Sequence, residues 1–153
     1  MNRKFREKNL VLATHNFGKI EEFKHLFGNV SFNITDIGQY SGKTPEETGG
    51  SFWENSLIKA REATKMTGLV SLADDSGLCV DILNGAPGIY SADWAIKSDG
   101  SRDFKFATNK LVREIEKNNF EPPCTAHFIC SLILYWPDNH FEKFEGKIYG
   151  EII

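Results

Sequence analysis

The chain has 153 residues, 41% of them hydrophobic and 25% charged, with a net charge of −3, which is the size of one domain and an ordinary soluble composition. The slight acidity gives no general attraction to nucleic acid or to a membrane surface, so a polyanionic ligand must be held by local cations or a metal. Cys79, Cys124 and Cys130 lack CxxC spacing, which argues against a disulfide framework or a zinc site, and no run approaches the ~20 apolar residues of a membrane span.

In chain order, Leu10-Val-Leu-Ala13 reads as a short buried strand, and Thr14-His-Asn-Phe-Gly18 as a polar loop. The loop opens a helix over Lys19 to Phe27, with Ile20, Phe23 and Phe27 on one face. Residues 28 to 50 carry weaker signals, with a strand around Val30 to Ile34 and then a loop containing Glu46-Glu-Thr-Gly-Gly50. Ser51-Phe-Trp-Glu54 has capping-box spacing, so a helix should run to about Thr67 with Gly68 as its left-handed stop. A strand over 69–73 is expected next, broken by an acidic turn at Asp74-Asp-Ser-Gly77, with a short element over Leu78 to Leu83 beyond it. A third helix fits residues 102 to 118, ended by Pro122-Pro123. Thr125 to Trp136 then pairs through a Pro137-Asp-Asn139 turn with a return strand on which Phe144, Ile148 and Ile152 share a face. Alternating strands and helices followed by a hairpin predict an α/β fold, a mixed central sheet with flanking helices.

Three polar clusters suit one chemistry. The loop Thr14 to Lys19 joins a strand to a helix, where free backbone N–H groups and the helix dipole favour an anion. Thr14 and Asn16 add side-chain donors, Gly18 allows close approach and Lys19 adds a cation. It is not a Walker A loop, because the required glycine and Lys-Ser/Thr spacing is absent. On the helix after Ser51, Asn55 and Lys59 lie four apart and share a face, with Glu54 beside them and Glu46 and Glu47 upstream. Asp74 and Asp75 are hard oxygen donors of the kind that hold Mg²⁺, and a carboxylate near a metal-bound water can take its proton. Glu47, Glu54, Asp74 and Asp75 for a metal, with Lys19 and Lys59 for phosphate, form a set suited to cleaving a nucleotide phosphoanhydride. His15, His25, His127 and His140 show no metal-ligand spacing.

The segments LATHNFGKIEEF, EETGGSFWENSLIKAREA and LADDSGLCVDILNGAPGIYSA, supported by AHFICSLILY and FEGKIYGEI, together resemble the inosine triphosphate pyrophosphatase family. The resemblance implies two lobes around a nucleotide cleft and commonly a homodimer in the cytoplasm. It implies Mg²⁺-dependent hydrolysis of ITP, dITP or XTP to the monophosphate and pyrophosphate. Carried over by motif, the loop Thr14, His15, Asn16, Phe17, Gly18 and Lys19 would contact the triphosphate. Asn55 and Lys59 would support the phosphate site, and Ser76 would bind substrate. Glu47 and Asp75 would serve the metal, Asp75 would also accept the proton of the attacking water, and Glu54 would be either a second metal ligand or only the capping-box partner. The family's Phe-Gly-Tyr-Asp segment and Ser-His-Arg motif, which grip the base, have no counterpart here. The expectation is therefore a single domain over 1–153 shortened at its C-terminus, and the rival reading is a catalytically silent remnant that binds nucleotide weakly or acts through dimerisation. A related family with modified-pyrimidine preference fits the ADDSG and FWEN segments less well.

Overall fold

The structure, a computed structural model, describes residues 1 to 153. In chain order the elements are β1 (Asn9–Leu12), α1 (Phe17–Phe27), β2 (Asn33–Asp36), α2 (Phe52–Thr67), β3 (Val70–Val80), α3 (Phe104–Lys117), β4 (Cys124–Tyr135) and β5 (Phe141–Ile152), with short 3-10 turns between. The strands form one sheet in the order β2-β1-β3-β4-β5. β1 runs parallel to both neighbours, Leu10 opposite Ile34 on one side and Val70 on the other. β4 and β5 are joined by a tight turn that Trp136 N–H closes on His140 O at 2.9 Å. The sheet is thus mixed, as the alternation of elements predicts.

The chain divides into two compact units, one comprising Met1–Asp75 with Ser131–Phe144, the other Ser76–Cys130 with Glu145–Ile153. The first unit is built on the two-residue period of its strands. Leu10, Leu12, Val70, Leu72 and Trp136 face one way and pack with Ile20 of α1 and Phe23 and Phe27 beside it. Val11, Ala13, Ala73, Ile133 and Tyr135 face the other way and pack with Ala60 and Ala63 of α2. Successive strand residues point to opposite faces, and both faces are buried, so these strands read as continuous apolar runs. Hydroxyls complete the α2 contact: Ser71 donates to Ala60 O at 2.6 Å, and Ser56 donates to Ser131 O at 2.8 Å. In the second unit Leu111 and Ile115 of α3 pack with Val80, Cys124 and Ala126.

Helix ends follow their sequence signals. Ser51 caps α2, its Oγ accepting from Glu54 N at 3.3 Å, and Gly68 ends it at φ 70°. α1 begins earlier than periodicity alone indicates, at Phe17, because Asn16 caps it by accepting from Lys19 N. Two expectations are corrected. β2 lies at Asn33–Asp36, starting and ending later than the expected Val30 to Ile34. The acidic turn does not exist: β3 runs unbroken through Asp74, Asp75, Ser76 and Gly77, joining what reads as two elements.

Candidate active site

Because β3 continues through the two acids, Asp74 and Asp75 point to opposite faces of the sheet. Asp74 shares parity with Val70 and Leu72, on the α1 side. There its Oδ2 pairs with Lys19 Nζ at 2.9 Å. Asp75 shares parity with Ser71 and Ala73, on the α2 side, and its Oδ2 accepts from Asn55 Nδ2 at 3.3 Å. Both are buried, at 4% and 8% exposure. The acids therefore do not act as a pair of metal ligands: Asp74 is the counter-ion of Lys19, and Asp75 alone of the two faces the α2 cluster.

α2 brings the rest. Asn55, 2% exposed, accepts from Gly49 N at 2.8 Å. Lys59 Nζ donates to the main-chain oxygen of Asp74 and pairs with Glu47 Oε1 at 3.3 Å. Glu54 Oε2 accepts from Gly50 N at 3.0 Å, so its carboxylate fastens the chain entering the helix, one residue upstream of the usual capping-box target. Lys143 Nζ lies 4.9 Å from the centroid of the Trp53 ring.

The loop before α1 is organised by its own side chains. Thr14 Oγ1 accepts from Asn16 N at 3.1 Å, and Asn16 Oδ1 accepts from Lys19 N at 3.2 Å. Thr14 and Asn16 thus act on the backbone as acceptors. The amides of Phe17 and Gly18 belong to the first turn of α1, where N–H groups have no partner inside the helix and suit an anion. A Cβ on Gly18 would stand 3.3 Å from Asn16 Oδ1, close enough that the capping side chain would have to shift by a few tenths of an ångström. His15 Nε2 lies 3.1 Å from Lys43 O, tying this loop to the segment after β2. Phe17 leaves its ring in solvent. Ser76, next to Asp75 in sequence, is exposed and opens the second unit.

Electrostatics single out Asp75. Burial pushes its carboxyl up to about 6 and Glu47 pushes the same way, while Lys59, the Asn55 donor and Lys19 pull it down. A carboxyl held there is half-ionised near pH 6 and mostly ionised at neutrality, with a basicity suited to taking a proton from water. No group of three or more His, Cys, Asp or Glu side chains is gathered closely enough to hold an ion alone. Glu47 and Asp75 remain as two mutually repelling oxygen donors. That donor set fits Mg²⁺, which commonly takes one or two carboxylates and completes its shell with water and substrate phosphate.

The structure therefore brings together Lys19, Glu47, Asn55, Lys59 and Asp75, all in the first unit. Two features are not evident in the sequence reading: Asp74 as partner of Lys19, and Gly49 as partner of Asn55. Strand parity would have separated the acids had the segment been read as strand. Gly49 carries no signal beyond its Gly-Gly doublet.

The model of the Ham1 family matches residues 10–153. Similar proteins include a dITP/XTP pyrophosphatase of Rhizobium meliloti, 43% identical over 153 residues that cover 99% of this chain and 72% of that protein. Another, from Zymomonas mobilis, is 44% identical over 151 residues, covering 99% and 71%. Among solved structures, a HAM1 protein from Coxiella burnetii aligns with a TM-score of 0.85 at 33% identity, covering 95% of this chain and 73% of that one.

Proposed function

We propose that this chain, which belongs to the Ham1 family, hydrolyses non-standard purine nucleoside triphosphates such as dITP, XTP and ITP to the monophosphate and pyrophosphate. The relatives named dITP/XTP pyrophosphatase support the substrate class. The observation that carries the chemistry is Asp75, a buried carboxyl raised to about 6 between Glu47, Lys59 and Asn55.

In this reading a water oxygen joins one of the two phosphorus atoms flanking the α,β bridge. The P–O bond from that phosphorus to the bridging oxygen breaks, pyrophosphate leaving where water joins Pα and the nucleoside monophosphate leaving where it joins Pβ, and the water proton passes to Asp75. Lys19 and Lys59 stabilise charge that grows on the phosphate oxygens in the transition state. Phe17 N–H and Gly18 N–H, with the loop that Thr14, His15 and Asn16 hold, receive the phosphate chain, and Ser76 adds a substrate contact. Mg²⁺ held by Glu47 and Asp75 would neutralise phosphate charge and acidify the attacking water. Glu54 acts on the backbone at Gly50.

We propose the cytoplasm as its compartment, where the free thiols of Cys79, Cys124 and Cys130 would stay reduced. A homodimer is the assembly proposed, supported by the edge strand β5, which leaves Ile148 75% and Tyr149 73% exposed. No nucleic-acid or membrane partner is part of the proposal. Incubation with dITP, XTP or ATP and Mg²⁺, with products resolved by ion chromatography, tests the activity. Equimolar nucleoside monophosphate and pyrophosphate from dITP and XTP is expected; orthophosphate as the first product, or no product, would refute it.

A further inference from the structure

Asn55 is buried on α2 beside Ser56, Ala60, Ala63 and Thr64, and the hydrolytic reading assigns it no reacting atom. Its amide orientation is fixed by chemistry. Gly49 N–H can only donate, so the side-chain atom 2.8 Å away is Oδ1. Nδ2 is then the atom that faces Asp75 Oδ2 at 3.3 Å. One planar amide thus spans the loop carrying Glu47 and the strand carrying Asp75, engaging one oxygen of the carboxylate and leaving Oδ1 of Asp75 clear of this contact. Gly49 is fitted to that amide. A Cβ there would stand 2.7 Å from Asn55 Oδ1, 2.7 Å from Glu54 Cβ and 3.0 Å from Asn55 N. Its φ is outside the left-handed region, so glycine is required for space and not for conformation.

We propose that Asn55 is a positioning residue that locks Asp75 to the Gly49 loop through its two-ended amide, so that the carboxylates of Glu47 and Asp75 are set relative to one another by Asn55, with no contact between Asn55 and phosphate. The proposal rests on the hydrolytic reading for its kinetic consequence, and on the geometry alone for the coupling. No other residue type does the same work. Aspartate could accept from Gly49 but not donate to Asp75, and would add a like charge. Leucine fills the volume and makes neither bond. Glutamine is a methylene too long for a buried site that the Gly49 backbone closes.

The kinetic arm compares wild type, Asn55→Leu and Asn55→Asp on dITP, with circular dichroism verifying the fold. Loss of positioning lowers kcat and kcat/KM together, by roughly a hundredfold, the scale of a misplacement of about 1 Å. KM is expected to stay unchanged. An increase in KM with kcat intact would mean that Asn55 touches phosphate and would overturn the proposal. The second arm needs no turnover. Gly49→Ala should move the ¹³C resonance of the Asp75 carboxyl carbon in the Asn55 background and leave it unmoved in the Asn55→Leu background. Should Asn55→Leu fail to fold, Asn55→Ala replaces it as that background, because alanine makes neither bond. Equal shifts in both backgrounds would show that the loop and Asp75 are not coupled through the amide, again overturning it. If wild type releases no pyrophosphate from dITP, the hydrolytic reading fails, and the resonance comparison still decides the coupling.

Discussion

At the scale of single residues, Asp75 trades stability for reactivity. Its carboxyl sits at about 6 in the folded chain against an ordinary 3.8. A raised acid binds its proton more tightly folded than unfolded. It therefore favours the folded state fully at pH below 3.8, and that benefit is lost as pH rises through 6. At pH 7.5 the ionised form is a burden on the fold, so Asp75→Asn is expected to raise the melting temperature there while cutting turnover about a hundredfold or more. Scanning calorimetry beside an assay checks both signs, and a melting point that falls would contradict the account. In the metal-free wild type, Asp75 should take up its proton near pH 6, read from the ¹³C shift of its carboxyl carbon. Lys19 behaves oppositely. Removing it by Lys19→Ala leaves Asp74, 4% exposed, without the cation 2.9 Å away. Breaking a buried pair costs several kcal/mol, and the partial exposure of Lys19 reduces this to about 1–2 kcal/mol. Urea unfolding should show that loss together with weaker catalysis, whereas a free surface lysine would show neither.

At the scale of elements, what the sequence discloses is what is determined locally. Both ends of α2 are legible because Ser51, Glu54 and Gly68 act within a turn of themselves. Ser51→Ala is expected to lose about 1 kcal/mol of stability, measured by denaturant titration, with KM unchanged because the site side chains sit further along the helix. β3 is not legible through its acids. Asp-Asp-Ser-Gly has the composition of a turn, and only partners distant in sequence, Lys19 from α1 and Asn55 from α2, hold it extended and buried. The same reasoning covers Glu54, whose capping role is local and visible, and Asn55, whose two-ended contact depends on a loop six residues upstream and a strand twenty residues on. The apolar alternation of β5 was legible as a strand, but not its setting. Of Phe144, Ile148 and Ile152, expected on one face, Ile152 packs on the Val80 and Leu111 cluster while Phe144 and Ile148 are exposed, because periodicity reports which residues align and not what covers them.

For the whole molecule, the open side of β5 gives an expectation of its own. Ile148 on one face of β5 and Tyr149, beside His127, on the other are both exposed next to an unpaired strand edge, the kind of surface that self-associates. Light scattering should show association that increases with concentration and is diminished in Ile148→Lys; a wild type that stays monomeric at high concentration would contradict the dimer. The parity of β3 has a further, genetic, consequence. A single codon inserted between those for Val70 and Leu72 would exchange the faces on which the two acids emerge, presenting one to α1 where the other belongs and turning Leu72 and Ala73 over with them. Length, more than letter, is what this strand inherits strictly. A library of in-frame insertions and deletions selected for activity should be empty across residues 70–75, even where conservative substitutions survive, and should refill in the exposed turn over residues 98–100.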